Sequence, residues 1–238
     1  MIGDPLIANG AVPDLAAPAG GLEAVAGIRG DGNVGARRAV TRYERYAKAP
    51  LDRCAGVVLA IVALPIIVIV AAAVRIRLGK GVIYKQSRVG RNGAVFTIYK
   101  FRTMAPDRRT AVLPLACPDR RVCHKRDDDP RHTPFGRFLR RSSMDELPQL
   151  WNVIRGEMSL VGPRPELPHI VERYEPWQHE RHRVKPGITG FWQLSGRAGG
   201  LAYEGVDLDI DYLQKLSFVT DLGVLLRTVP VAVGRSGR

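Results

Sequence analysis

Apolar residues are spread unevenly along this chain, and the unevenness divides it into blocks. Residues 54–74 are 21 consecutive positions without a charge. At about 1.5 Å rise per residue a helix of that length crosses the hydrocarbon core of a bilayer. Pro65 stands at the centre of the run, where a proline removes one hydrogen bond and predicts a kink. Downstream, Val82-Ile83-Tyr84 and Ala94-Val95-Phe96-Thr97-Ile98-Tyr99 read as two short strands around Gly90-Arg91-Asn92-Gly93. The Asn-Gly pair is a strong hairpin signal. Residues 133–141 predict a short helix with Phe135, Phe138 and Leu139 on one face. Leu147, Leu150, Val153 and Ile154 then recur at helical spacing. Pro148 fits only the first turn of that helix, which makes Ser143 or Asp145 its N-cap. Residues 158–161 are strand-like, and residues 166–183 read as an amphipathic helical stretch. Asp207, Asp209 and Asp211 alternate, sharing one face if extended, before a last amphipathic helix over residues 216–233.

Charge changes this picture first. The chain carries 36 Lys and Arg against 23 Asp and Glu, a net charge of +13 over 238 residues. Its partners are therefore anionic: a phospholipid surface, a nucleotide or a nucleic acid. Arg37, Arg38, Arg42, Arg45, Lys48 and Arg53, interleaved with Tyr43 and Tyr46, precede the apolar run, and Arg75, Arg77, Lys80, Lys85 and Arg88 follow it. Basic flanks prefer the cytoplasm. The run is either a plain transmembrane helix or one that enters and leaves on the same face. Residues 1–36, rich in Gly, Ala and Pro and without aromatics, read as a disordered leader. The division expected is thus leader 1–36, basic juxtamembrane segment and membrane helix 37–80, and a cytoplasmic domain 81–238. The three cysteines make no disulfide framework. Cys117, Cys123, His124 and His132 lack paired zinc spacing and read as incidental Cys and His of irregular chain, and residues 106–130 read as a charged, irregular loop.

Candidate chemistry centres on Asp145-Glu146, with Arg137, Arg140 and Arg141 just before it. Carboxylates in the first turn of a helix, surrounded by arginines, are favoured in the ionised form, and the same surroundings attract phosphate. Such a pocket points to phosphoryl chemistry with a metal, one carboxylate acting as nucleophile; an ordinary capped helix with acidic first-turn residues is the other explanation. Arg164 lies between Pro163 and Pro165, which hold its backbone extended. A rigidly presented guanidinium fork suits two phosphate oxygens. Gln86, Arg88, Lys100 and Arg102 cluster near the hairpin as a basic platform.

In order along the chain, Gln86-x-Arg88-x-Gly90-x-x-Gly93, Lys100-Phe101-Arg102-Thr103-Met104, Asp145-Glu146-Leu147-Pro148-Gln149-Leu150, Met158 through Pro165, Lys185-Pro186-Gly187-Ile188-Thr189-Gly190 and Ser195-Gly196-Arg197 resemble the bacterial sugar transferase family. The resemblance runs from about residue 45 to the C-terminus. It implies an α+β monotopic membrane protein with a re-entrant N-terminal helix broken at Pro65, amphipathic interfacial helices and a small cytoplasmic catalytic domain at the bacterial plasma membrane. It implies transfer of a sugar 1-phosphate from a UDP-sugar to polyprenyl phosphate, with release of UMP. Asp145 would be the nucleophile and Glu146 a ligand of Mg²⁺, with Asp209 a further metal-ligand candidate. Arg164, Arg141, Arg102, Lys100 and Arg88 would bind phosphate or substrate, and anionic lipid would cover the basic flanks. The sugar stays open, glucose or galactose being what polysaccharide-type relatives imply, and so does the oligomeric state, a homodimer included. A membrane-tethered nucleic-acid-binding protein is the rival class, and predicts binding that falls steeply with salt.

Overall fold

The computed structural model describes residues 39–105, 131, 133–195 and 205–234. The leader 1–36, the loop 106–130 and residues 196–204 lie outside them. The first element, α1, runs over Tyr43–Leu78. It opens with a π-helical turn at Tyr43–Ala47 and is α-helical over Lys48–Leu78. The helix continues through Pro65, so the proline costs a ladder bond without ending it. Gly79 and Gly81, at φ 83° and 84°, then turn the chain away in a conformation suited to glycine.

One stripe of α1 is packed. Ala55, Ala60 and Ala63 meet a core of Ile98, Leu150, Val153, Met158 and Leu160. Further along, Ile67, Val70, Ala71, Val74 and Leu78 meet Phe101, Leu139, Met144 and Leu147. Small residues allow the close approach: a Cβ on Gly56 would lie 3.1 Å from Val153 Cγ1. Around the rest of the helix Val57, Val58, Leu59, Ile61, Val62, Leu64, Ile66, Val68 and Ile69 are exposed. Each is worth roughly 1.5–3 kcal/mol on burial, too much in sum to leave in water. The helix is long and apolar enough to cross a membrane by length and composition.

Strands β1 (Ile83–Val89) and β2 (Val95–Phe101) pair antiparallel, with Asn92 left-handed in the connecting turn. Helix α2 (Pro134–Arg141) is capped by Thr133, whose Oγ1 accepts from the Gly136 N–H at 3.0 Å. Leu139 is buried there but Phe138 is 55% exposed, so the expected single apolar face is split. A 3₁₀ segment, Met144–Gln149, runs into α3 (Leu150–Arg155). Residues 166–183 form no continuous helix. They form a short α4 (Pro168–Val171) and a 3₁₀ segment (Pro176–Arg183), each opening on a proline that a longer helix could not carry.

Strands β3 (Ser159–Val161) and β4 (Gly187–Thr189) pair in parallel. Their backbones approach so closely at the Gly-Pro-Arg-Pro and Pro-Gly-Ile-Thr-Gly motifs that a Cβ on Gly187 would sit 2.1 Å from the Gly162 nitrogen. Three helices close the order: α5 (Phe191–Leu194), α6 (Val206–Lys215) and α7 (Phe218–Gly234). The expected alternation of Asp207, Asp209 and Asp211 on one extended face is corrected here. On α6 they point apart: Asp207 is exposed, Asp209 is buried, and Asp211 pairs with Lys215 at 2.7 Å.

The start of α1 is tied to this body by a buried polar network. Asp221 Oδ2 accepts from Tyr43 Oη at 2.7 Å and Lys48 Nζ at 2.5 Å, and Oδ1 accepts from Tyr212 Oη at 2.8 Å. Ser159 Oγ donates to Asp52 Oδ2 at 2.7 Å.

Candidate active site

The acidic pair lies at the start of the 3₁₀ segment, not in a regular α-helical first turn. Ser143 precedes it in a left-handed conformation, φ 54°, and makes no side-chain cap. The expected N-cap is therefore absent; instead the Ser143 carbonyl accepts from the Glu146 N–H at 3.1 Å. The tighter turn packs Met144 and Leu147 against α1 and drives Asp145 into the body, where it is 8% exposed.

Two cations meet on Glu146. Lys100, on β2, donates through Nζ to Glu146 Oε1 at 2.6 Å, and Arg164, in the loop after β3, donates through Nη2 to the same oxygen at 3.1 Å. Arg164 also lies against the Trp192 ring, 5.8 Å from its centroid. Burial by itself would raise the Glu146 pKa, but the Arg164 and Lys100 charges outweigh it and hold the carboxylate well below its usual range. Asp145 behaves in the opposite way. Burial, reinforced by the Glu146 charge, pushes it up to about 6, against the weaker pull of Lys100 and Arg164. The site thus holds one carboxylate locked between cations and a neighbour with no cation bonded to it among the described residues.

Asn152 sets the distance between β2 and the acidic segment. It is fully buried. Its Nδ2 donates to the Thr97 carbonyl at 2.7 Å and to Glu157 Oε2 at 2.8 Å, and its Oδ1 accepts from the Tyr99 N–H at 3.3 Å. One side chain thus stands in for a strand neighbour beside Lys100.

The chain matches the family described as bacterial sugar transferase over residues 43–235. It belongs to that family. Galactosyl transferase CpsE of Streptococcus agalactiae is 42% identical over 162 residues, covering 67% of this chain and 36% of that protein. Exopolysaccharide production protein ExoY of Sinorhizobium fredii is 39% identical over 180 residues, covering 73% and 80%. Undecaprenyl-phosphate galactose phosphotransferase of Salmonella typhimurium is 37% identical over 202 residues, covering 82% and 42%. The matched region therefore spans less than half the length of two of these relatives and four fifths of the third.

Against the expected site of a sugar transferase, Lys100 and Arg164 join Glu146, and three other basic residues stand differently. Arg88 Nη1 donates to the Pro165 carbonyl at 3.2 Å and Nη2 to Gln86 Oε1 at 2.8 Å, and burial lowers its pKa to about 10. Arg102 donates to the Lys80 carbonyl at 2.6 Å, fastening the end of α1 to the hairpin. Arg141 is exposed at the end of α2. Asp209 is engaged with Arg181, 2.6 Å from its Nη2, and burial pushes its pKa to about 6 despite that pairing. Among the described residues no group of three or more His, Cys, Asp or Glu is placed to hold a metal ion. Asp145 and Glu146 supply hard carboxylate oxygens, and both cations bond Glu146 through Oε1 and not Oε2. That donor set fits Mg²⁺ only as an ion completed by substrate oxygens and water. Sequence reasoning missed Asn152, Arg181 and Tyr174; a buried Asn or Arg has no periodic signature, and pairing across distant segments is invisible along the chain.

Proposed function

We propose that this chain moves a sugar 1-phosphate from a UDP-sugar to polyprenyl phosphate in two half-reactions through Asp145. In the first, an Asp145 carboxylate oxygen attacks the phosphorus next to the sugar, the bond to the UMP oxygen breaks, and UMP leaves. In the second, an oxygen of polyprenyl phosphate attacks the same phosphorus and Asp145 departs as the carboxylate. Arg164 and Lys100 sit where they can take phosphate oxygens, and Glu146 holds both in place. Glu146 would help hold Mg²⁺, which would supply screening of the diphosphate charge that otherwise repels an attacking carboxylate.

The observation that carries this reading is the unlike state of two adjacent acids. A carboxylate bonded to Lys100 and Arg164 is a poor nucleophile. A buried, raised-pKa neighbour is a stronger one, because burial has stripped its hydration. The family membership and the relatives' names support the substrate class, and the nucleic-acid alternative draws no support from them. Exposed apolar residues over most of α1, with both halves of the helix packed on one body, support a helix that re-enters the membrane and keeps its basic flanks on the cytoplasmic side.

The decisive experiment omits the lipid acceptor. Given UDP-galactose or UDP-glucose and Mg²⁺ alone, the protein should release about one UMP per active site and retain one sugar phosphate, located by mass spectrometry on the Asp145 peptide. Asp145→Asn should abolish both burst and adduct, while Glu146→Gln should slow both without removing the acceptor atom. A requirement for both substrates before any UMP appears would replace the covalent scheme with direct transfer.

A further inference from the structure

Two guanidinium groups hold the backbone of the loop that presents Arg164. Arg181 Nη2 donates to the Arg164 carbonyl at 2.7 Å, and Arg88 Nη1 to the Pro165 carbonyl at 3.2 Å. Pro163 and Pro165 have no N–H to donate; backbone N–H groups of Gly187 and Val89 hold the flanking Pro163 and Glu166 carbonyls, each at 2.9 Å, and between them the Arg164 and Pro165 carbonyls take side-chain donors. Arg181 is the more committed of the two. It is 2% exposed, its Nη1 donates to Tyr174 Oη at 2.6 Å, and its Nη2 also lies 2.6 Å from Asp209 Oδ2, a carboxylate equally buried.

A buried ion pair of this kind rarely adds stability over an apolar pair of similar volume, because desolvating both charges offsets their attraction. What it does supply is direction: a planar fork hydrogen-bonded to Tyr174 and the Arg164 carbonyl, with the Asp209 carboxylate in ion-pair contact, has one orientation. From α6 the chain of contacts runs Asp209, Arg181, the Arg164 backbone, the Arg164 guanidinium and Glu146. We infer that Arg181, oriented by Asp209 and Tyr174, is a positioning residue that fixes Arg164 against Glu146, which gives Asp209 a place in the site other than metal ligation. The inference rests on the proposed role of Arg164 as a phosphate clamp.

Lysine at position 181 can reach one of the three partners but not all together. In full-length protein supplied with undecaprenyl phosphate and UDP-galactose or UDP-glucose, Arg181→Lys should lower kcat about 10- to 100-fold, the scale of a small misplacement of a catalytic group. In an Arg164→Ala background the same change should alter the rate by no more than about two-fold, because its route of action is gone. A second readout needs no turnover. With Trp192 the sole tryptophan (Trp151→Phe, Trp177→Phe, both exposed sites), Arg164→Ala should shift Trp192 emission. Arg181→Lys should shift it too, and the double variant no further. If Arg181→Lys does not fold, Tyr174→Phe removes one partner of Arg181 and should give a smaller loss with the same non-additivity. Losses that multiply in the double variant, or a fall in activity with Trp192 emission unmoved, would overturn the inference. Wild-type protein that releases no UMP would instead sink the proposed function, leaving the Trp192 result to decide the brace.

Discussion

Asp145 is held in a state that the fold itself makes unfavourable, and two outcomes follow at the scale of this residue. Its pKa rises from 3.8 to about 6 on folding, chiefly through burial and then through the Glu146 charge. The folded state therefore keeps the proton longer than the unfolded chain, and stability is lost as pH climbs from about 4 to about 6. Asp145→Asn removes that loss, so the variant should be more stable than wild type by about 1–3 kcal/mol at pH 8 and nearly equal to it at pH 4. Thermal unfolding of the solubilised protein at the two pH values checks this. The first-half-reaction burst should fall as pH drops below about 6, where the nucleophile takes up its proton. Arg164 answers to a different rule. Arg164→Lys retains the charge but gives up the fork, and should lower turnover roughly 10- to 100-fold, the equivalent of one charged hydrogen bond. Steady-state UMP release measures it, with an unchanged melting temperature showing that the fold survives.

Among the elements, α1 shows how packing reassigns residues that composition had grouped. Along the chain Lys48 is one of a run of basic residues approaching a membrane. In the fold it is 7% exposed and bonded to Asp221 on α7. Asp221→Ala would leave Lys48 buried with Asp52 alone, 3.5 Å away, and would strip an acceptor from Tyr43 and Tyr212. Breaking a buried pair in this way costs about 3–5 kcal/mol. Lys48→Met should cost less, since Asp221 keeps two phenolic donors. Melting temperatures of the two variants should fall in that order, and the reverse order would place the network's weight on Lys48. The three aspartates of α6 make a related point. Their period of two suggested a strand face; the helix turns them by about 100° per residue and gives each a separate environment.

For the whole molecule, the decisive prediction concerns which side of the membrane the ends of α1 occupy. With both basic flanks cytoplasmic, a membrane-impermeant thiol reagent added to intact cells should label cysteines introduced at neither Arg45 nor Lys80. Labelling of one end alone would make α1 a spanning helix. Pro65→Leu should shift the population toward that spanning form in the same assay, since the missing ladder bond is restored. The sequence by itself determined the apolar run, the hairpin, the acidic dyad, the proline-flanked arginine and the family, because each rests on local periodicity, turn chemistry or an ordered set of short motifs. Tertiary structure alone decided that Lys100 and Arg164 converge on Glu146 rather than Asp145, that Arg88 and Arg102 turn toward backbone carbonyls, and that Asp209 answers Arg181. Those pairings join residues from 18 to 77 positions apart, and which charge meets which depends on desolvation and on where packing stops each segment, quantities that exist only once the chain is folded.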